Sequence, residues 1–275
     1  MKVGFVGLGI QGKGLAKNLV EAGFDATVYD PRPEPCEELA KMGAKVARSN
    51  AELAKDKNVI QICVLDDAQL EAVCLGKDGV FDAASEGTIV AIHSTVRPKT
   101  ILSLREKAKP KGVIVIDAPV SGGAAGAAGK RMSYMVGADK THLEICRPVF
   151  EASGKNITHT GDVGSGIRAK LAHQLIISVN MLAAYEGMKL GVAAGLSTDI
   201  LEKVVREGVA QSFVANQWSK LALGPFAPAV FYKDLQLCIE LAHELGFGVP
   251  GAALAQQMID IILEDHRVIK EIAND

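Results

Sequence analysis

An excess of charge of either sign is missing from this chain: 30 Lys and Arg stand against 32 Asp and Glu, a net charge of −2 over 275 residues. So balanced a surface offers no electrostatic footprint for nucleic acid or anionic lipid, and small-molecule chemistry becomes the default. Cysteine pairing is missing too. Cys36, Cys63, Cys74, Cys146 and Cys238 contain no C-x-x-C pair and have no histidine cluster near them. Neither a disulfide framework nor a zinc site is suggested; reduced core thiols and no metal are expected. The N-terminal "MKVGFVGLGI" lacks the basic start, apolar run and small-residue cleavage site of a signal peptide, and its apolar run reads as a strand. The most apolar later stretch, "LIISVNMLAAYEGMKLGVAAG" (175–195), is interrupted by Asn180, Glu186 and Lys189, which bilayer insertion penalises. It reads as a buried helix of a soluble protein, expected in the cytoplasm, with no membrane partner. Low-complexity tracts and internal repeats are absent as well.

What is present divides in two, as a chain of this length allows. Up to about Gly161, short β-branched runs alternate with helical periodicity: "KVGFVG", "DATVYD", "NVIQICVL", "TIVAIHS", "GVIVID", "SYMVG" and "NITHTG". That alternation predicts an α/β domain, a largely parallel sheet with helices on both faces. After Gly164 no convincing strand returns. Helix-length segments at 165–195, 198–208, 212–222, 229–246 and 250–270 predict an all-α C-terminal domain. The expected domains are 1–162, with the largely parallel sheet, and 163–275, all helical.

Gly7, Gly9 and Gly12 form G-x-G-x-x-G directly after a strand and directly before an amphipathic helix. Alone the pattern is weak, and a βαβ turn that binds nothing is the plain alternative. Here a second strand follows and ends in Asp30, about 18 residues beyond Gly12, near the spacing a dinucleotide fold needs. Gly7 makes the tight turn, Gly9 lets backbone approach a pyrophosphate, and Gly12 allows close helix packing. With Leu8, Ile10 and Gln11 they place free N–H groups of a helix start at an anion. Asp30 can accept from two ribose hydroxyls and would repel a 2′-phosphate, which favours NAD. Arg32, two residues on, could attract that phosphate, so NADP stays open.

"CVLDD" (63–67) and "IHSTVRP" (92–98) fall where strands end, and there ligands lie in an open parallel sheet. Val64, Leu65 and Thr95 are therefore candidate cofactor contacts. His93 reads first as a strand-end histidine with a structural hydrogen bond. "DAPVSGGAAGAAGK" (117–130) is too rich in glycine and alanine to predict a packed element; it suits a loop whose backbone comes close to a ligand. Ser121, Gly122 and Gly123 would offer a hydroxyl and successive N–H donors to a carboxylate, the alternative being a flexible linker. In "GSGIRAKLAHQL" (164–175) a glycine turn opens a helix that carries Lys170, which is either a solvated helix residue or a reacting cation.

Four motifs in order, "GFVGLGIQGKGLAKNLVEAGF", "DAPVSGGAAGAAGKRMSYMVGA", "GDVGSGIRAKLAHQ" and "FYKDLQL", resemble the β-hydroxyacid dehydrogenase family, which includes 3-hydroxyisobutyrate dehydrogenase, tartronate semialdehyde reductase and glyoxylate/succinic semialdehyde reductases. The resemblance spans nearly the whole chain. It implies that Lys170 is the catalytic lysine, that Ser121, Gly122 and Gly123 bind substrate, that Thr95 touches cofactor and substrate, and that Lys233 lies near the nicotinamide. It also implies that 1–162 is a Rossmann dinucleotide-binding domain and 163–275 an all-helical substrate and oligomerisation domain, with a homodimer or homotetramer formed through the latter. The chemistry agrees, since hydride transfer at an alcohol needs a group to move the hydroxyl proton. A lysine of ordinary pKa about 10.4 donates only, but desolvation or a nearby cation, for which Lys233 is a candidate, brings it towards about 7 to 8.

The resemblance is broken after the lysine, where the family usually carries two asparagines in K-x-x-N-N. Here His173 and Gln174 stand there, on the face of Lys170 at i+3 and i+4. Gln174 keeps an amide on a stem one methylene longer, and His173 adds a titratable ring; both are candidate substrate contacts. The change puts the common small semialdehyde substrates in doubt and leaves a longer or aromatic aldehyde or ketone open. Two alternatives accompany this reading: an imine reductase of the same fold, a group that usually lacks the lysine, and a non-catalytic NAD-binding sensor. "AIHSTVRP" also departs from the usual D-x-S-T. Trp218, Phe213, Phe226 and Phe231 read as helical core before ligand cage.

Overall fold

Ile89 and Ala91 of one buried strand pack into the core on one side of a sheet, and Val90 and Ile92 pack into the core on the other. Period-two alternation with both faces apolar is what a sheet covered on both sides demands. The computed structural model describes residues 1–221 and 227–272. Among them the sheet has nine strands: β1 (Lys2–Val6), β2 (Asp25–Tyr29), β3 (Lys45–Val46), β4 (Val59–Ile62), β5 (Ile89–Ile92), β6 (Ile114–Asp117), β7 (Val120–Ser121), β8 (Ser133–Gly137) and β9 (Asn156–Gly161). Their order is β3-β2-β1-β4-β5-β6-β8-β7, with β9 paired to β8. Strands β1 to β6 pair in parallel with one another, β8 runs antiparallel to β6 and β7, and β9 is parallel to β8. The α/β class with a Rossmann-type sheet is therefore observed. Chain order reverses between β1 and β4, the place where such sheets take a ligand at their carboxyl ends. β3 and β7, two residues each, are too short to show a period in sequence.

The chain divides into two units, Met1–Lys170 and Leu171–Asp275. The first contains the sheet with the core on each of its faces. The second is helical in its described residues. The long helix Ser165–Ala193 begins in the first unit and continues into the second, followed by helices Thr198–Glu207, Ala227–Glu244 and Pro250–Ile272. In place of the helix expected at 212–222 stands a short 3-10 helix, Ala215–Lys220, in which Gln217 at φ −145° leaves helical backbone. Its Ser219 N–H is held by the buried carboxylate of Glu202, 2.6 Å away, which ties the segment to a neighbour rather than to its own next turn.

Helix Ser165–Ala193 is long and apolar enough to cross a bilayer by length and composition. In this fold Met181, Leu182, Ala184, Tyr185 and Met188 are buried in the core of the second unit with Trp218 and Leu235. Trp218 is thus core, as expected, and Phe231 packs partly against it. Phe213 corrects the expectation: it is 69% exposed, because it precedes the 3-10 turn rather than lying on a helix face. Phe226 lies outside the described residues. All five cysteines are free thiols, four of them buried.

Candidate functional site

Gly7 sits at φ +89°, a left-handed conformation closed to most side chains, and a methyl group there would overlap the carbonyl oxygen of Cys63 at the end of β4. A methyl at Gly12 would overlap the Gly7 carbonyl oxygen, so helix Ile10–Glu21 can start this close to β1 only with glycine. Gly9 differs: a methyl there meets open space, and no side chain caps the helix that follows. The first N–H groups of that helix, from Ile10, Gln11 and Gly12, are left to an outside acceptor beside an unobstructed backbone. These residues fit the pyrophosphate of a dinucleotide.

Asp30, just past β2 and 8% exposed, turns its carboxylate back to this turn: Leu8 N–H donates to Oδ2 at 2.7 Å. Arg32 supplies the rest. Its backbone N–H and Nε donate to Oδ1 at 3.0 and 2.9 Å, and Nη2 donates to Oδ2 at 3.1 Å. Burial works to raise the Asp30 pKa, but the Arg32 guanidinium and the backbone donors outweigh it and hold the carboxyl below its ordinary value. Arg32, largely exposed, is raised by the same pairing.

Val64 is half-buried at the end of β4, in contact range of Gly7, and its N–H donates to Ser94 Oγ at 2.8 Å. Leu65 is exposed, and Thr95, after β5, is half-buried. His93 is fully enclosed: Nδ1 is 2.6 Å from the Ala118 carbonyl oxygen and Nε2 is 2.7 Å from the Gln61 amide. Burial depresses its pKa to about 4, so the ring is neutral. The atom facing Nε2 is Gln61 Oε1; a neutral ring donating from Nδ1 accepts at Nε2, so an amide turned to present its nitrogen there would give that otherwise orphaned buried group its partner. His93 stacks among Phe5, Tyr134 and Phe150. It is a structural histidine beneath the segment that follows β6, and this accounts for a histidine in "AIHSTVRP".

That segment is not the open loop expected. Val120–Ser121 forms β7 and Gly123–Ala128 a short helix. Alanine favours a helix, and small side chains let this one press on helix Ile10–Glu21, where a methyl at Gly14 would meet Ala127 Cβ at 2.9 Å. Asn18 fixes the contact, Nδ2 donating to Ala127 O at 2.8 Å and Ser153 Oγ at 3.1 Å. At the junction of the two short elements Gly122 and the first helical residue Gly123, at φ +138° and +58°, are exposed, with Ser121 half-buried before them.

Lys170 lies in the second turn of helix Ser165–Ala193 and is 7% exposed, not a solvated surface lysine. The start of its helix is fastened by a residue to which the sequence reading assigned no role. Asp117, at the end of β6 and fully buried, accepts from Gly164 N–H at 2.6 Å and Ile167 N–H at 2.7 Å. Burial raises the Asp117 pKa, and the two N–H donors oppose this only in part. One carboxylate thus joins the strand that leads to Ser121 with the helix that carries Lys170. An acidic residue closing the apolar run "GVIVID" was the available signal.

Farther along that helix, Gln174 is buried and spends its amide nitrogen on Asp234 Oδ2 at 2.6 Å, while its Oε1 lies 3.2 Å from His173 Nδ1. Asp234, 2% exposed, pairs through Oδ1 with Lys233 Nζ at 2.8 Å. The structure therefore brings His173, Gln174, Asp234 and Lys233 into one chain of contacts. Asp234 was the missed member, next to Lys233 in "FYKDLQL".

Residues 2–161 match the family described as the NAD binding domain of 6-phosphogluconate dehydrogenase, and residues 164–268 match that of the NAD-binding region of NADP-dependent 3-hydroxyisobutyrate dehydrogenase. NAD-dependent L-serine dehydrogenase of Pseudomonas aeruginosa is 33% identical over 96% of this chain and 92% of its own length. A structure of Mycobacterium tuberculosis 3-hydroxyisobutyrate dehydrogenase with L-serine superposes with a TM-score of 0.85 at 28% identity, covering 96% of this chain and 94% of that one. An imine reductase of Streptomyces aurantiacus shares the fold alone, with a TM-score of 0.71 at 15% identity over 99% of each chain.

Proposed function

The chain belongs to the β-hydroxyacid dehydrogenase family and is an NAD(P)-dependent dehydrogenase acting on hydroxyl groups, and from this premise we propose that Lys170 is its general acid and base on a substrate of β-hydroxy acid or semialdehyde type. When bound, the nicotinamide supplies the acceptor for the hydride that leaves the carbinol carbon, or its donor in the reverse direction. Lys170, as the neutral amine, takes the hydroxyl proton during oxidation and returns it from the ammonium to the carbonyl oxygen during reduction. Ser121, Gly122 and Gly123 hold the carboxylate, through the hydroxyl and the N–H groups of a backbone that only glycine can adopt. The relatives' names point the same way, since L-serine and 3-hydroxyisobutyrate each carry a hydroxymethyl group on the carbon bearing the carboxylate. His173 and Gln174 set what the substrate carries beyond the reacting carbon, with the Gln174 amide anchored on Asp234. Val64, Leu65, Thr95 and Lys233 complete the cofactor side. Exposed Leu190, Val204, Phe213 and Leu254 support assembly of a dimer or tetramer through the helical unit, which light scattering would read.

The observation that carries this reading is the buried Lys170 on a helix start pinned by Asp117. Lys170→Ala is expected to lower kcat by about 10²- to 10⁴-fold while the Kd for the cofactor stays within about threefold. Near-normal turnover would remove the lysine from the chemistry. A panel of semialdehydes, keto acids and cyclic imines, offered with NADH or NADPH, separates the readings: oxidation of cofactor by aldehydes alone is expected, turnover of imines alone favours the reductase, and binding without turnover favours a sensor.

A further inference from the structure

We propose that Asp67 is a positioning residue for hydride transfer: from the first turn of helix Asp67–Leu75 it caps a second helix, Pro98–Ala108, and so fixes the segment carrying Thr95 for the nicotinamide half of the cofactor. This deepens the cofactor side of the reading above and rests on it, not on Lys170.

Helix Pro98–Ala108 starts without provision of its own. Its N-cap residue is Arg97, whose side chain caps nothing, and no acidic residue stands in its first turn. Such a start leaves backbone donors and the positive end of the helix dipole without a partner. Asp67 supplies one from a different helix. Its Oδ1 accepts from Arg97 N–H at 3.0 Å and from Thr100 Oγ1 at 2.5 Å, and its Oδ2 accepts from Arg97 Nη1 at 3.0 Å. Half-buried and taking three donors, one of them charged, the carboxylate is held more narrowly than a solvated surface ion pair.

These bonds fix what lies just before the helix. His93 N–H donates to Ile62 O at 2.8 Å, Ser94 Oγ accepts from Val64 N–H at 2.8 Å, and Val96 is fully buried. With Arg97 tied to Asp67, Thr95 stands between two fixed points. Both ties reach the same neighbour, the connection that follows β4. That connection is braced in turn: Asp66 Oδ1 accepts from Gln69 N–H at 2.9 Å, and Gln69 Oε1 accepts from Leu65 N–H at 3.1 Å. The connections after β4 and β5 thus form a single frame that bears Val64, Leu65 and Thr95.

Strand order decides which half of the cofactor this frame meets. Asp30 follows β2, on one side of β1, while β4 and β5 lie on the other side. A dinucleotide with its pyrophosphate at the glycine turn after β1 and its adenine ribose at the acid after β2 extends its other nucleoside over the ends of β4 and β5. That nucleoside carries the nicotinamide, and a misplacement of about 1 Å there is enough to slow the transfer.

Titration calorimetry of the intact protein with NADH and with ADP-ribose, which lacks only the nicotinamide ring, tests this without turnover. Asp67→Ala should weaken NADH about fivefold or more and ADP-ribose less than about twofold, and should lower kcat at saturating NADH about tenfold. Asp67→Asn keeps an acceptor for Arg97 N–H and Thr100 and gives up only the guanidinium bond, so its NADH affinity and kcat should stay within about threefold of the wild type. If the alanine variant does not fold, Thr100→Val, similar in shape and short of one bond, is read in its place, with the loss again confined to NADH. Equal changes in the two binding constants, no change in either, or an asparagine variant as impaired as alanine overturns the proposal. An inactive Lys170 variant leaves both constants, and this proposal, untouched. A wild type that binds neither ligand ends this proposal together with the cofactor reading.

Discussion

His93 shows what one side chain does by staying neutral. Free histidine titrates near 6.5, yet inside the aromatic cluster of Phe5, Tyr134 and Phe150 it is held down to about 4. A depressed pKa means that the unfolded chain takes up the proton first. The stabilisation is thus complete above about pH 6.5 and is lost as pH falls towards about 4, amounting to about 3 kcal/mol over that window. Urea denaturation of wild type and His93→Asn across those pH values should show a weaker pH dependence in the variant, by roughly that amount. Equal slopes would mean that the ring is not neutral in the folded state.

At the scale of elements, the joint between β6 and helix Ser165–Ala193 depends on Asp117. Both of its oxygens accept backbone N–H groups, so Asp117→Asn sets an amide NH₂ against one of those donors and leaves it unpaired, at a cost of about 1–3 kcal/mol. Carboxylate extension offers no remedy, since a methyl at Gly137 would already overlap Oδ1 and one at Gly166 would meet Oδ2 at 2.9 Å. The variant should melt lower and lose turnover about tenfold or more at unchanged affinity for NAD⁺, because the turn from Gly7 to Gly12 is not disturbed. Loss of stability with kcat intact in the folded fraction would make the joint purely structural. Helix Gly123–Ala128 is the opposite kind of element, held by one amide, Asn18, and by the smallness of its residues.

Over the whole molecule, the parts readable in advance are those in which backbone geometry leaves no choice. Gly7, Gly12 and the β-branched runs could be placed from sequence because φ, close approach and two-sided burial each demand a residue type. Helix Gly123–Ala128 escaped because glycine and alanine carry no hydrophobic period, and the clamp of Arg32 on Asp30 because it is a rotamer, not a pattern. The 3-10 turn at Ala215–Lys220 escaped because its Trp218 is buried without helical backbone throughout. Helix Ser165–Ala193 is shared by both units, so ligand stabilisation of the first should reach the second. NAD⁺ at about 100 times its Kd adds about 2.7 kcal/mol and should raise the midpoint read at Trp218 by several degrees, together with that read by circular dichroism. A Trp218 signal that ignores the nucleotide would show the units melting independently. Since Trp218 is the lone indole of the chain and is sealed in the helical unit, the molecule carries a single fluorescent donor. Quenching of its emission by reduced nicotinamide would then act as a one-vector ruler from that indole to the bound cofactor, in solution and without a label.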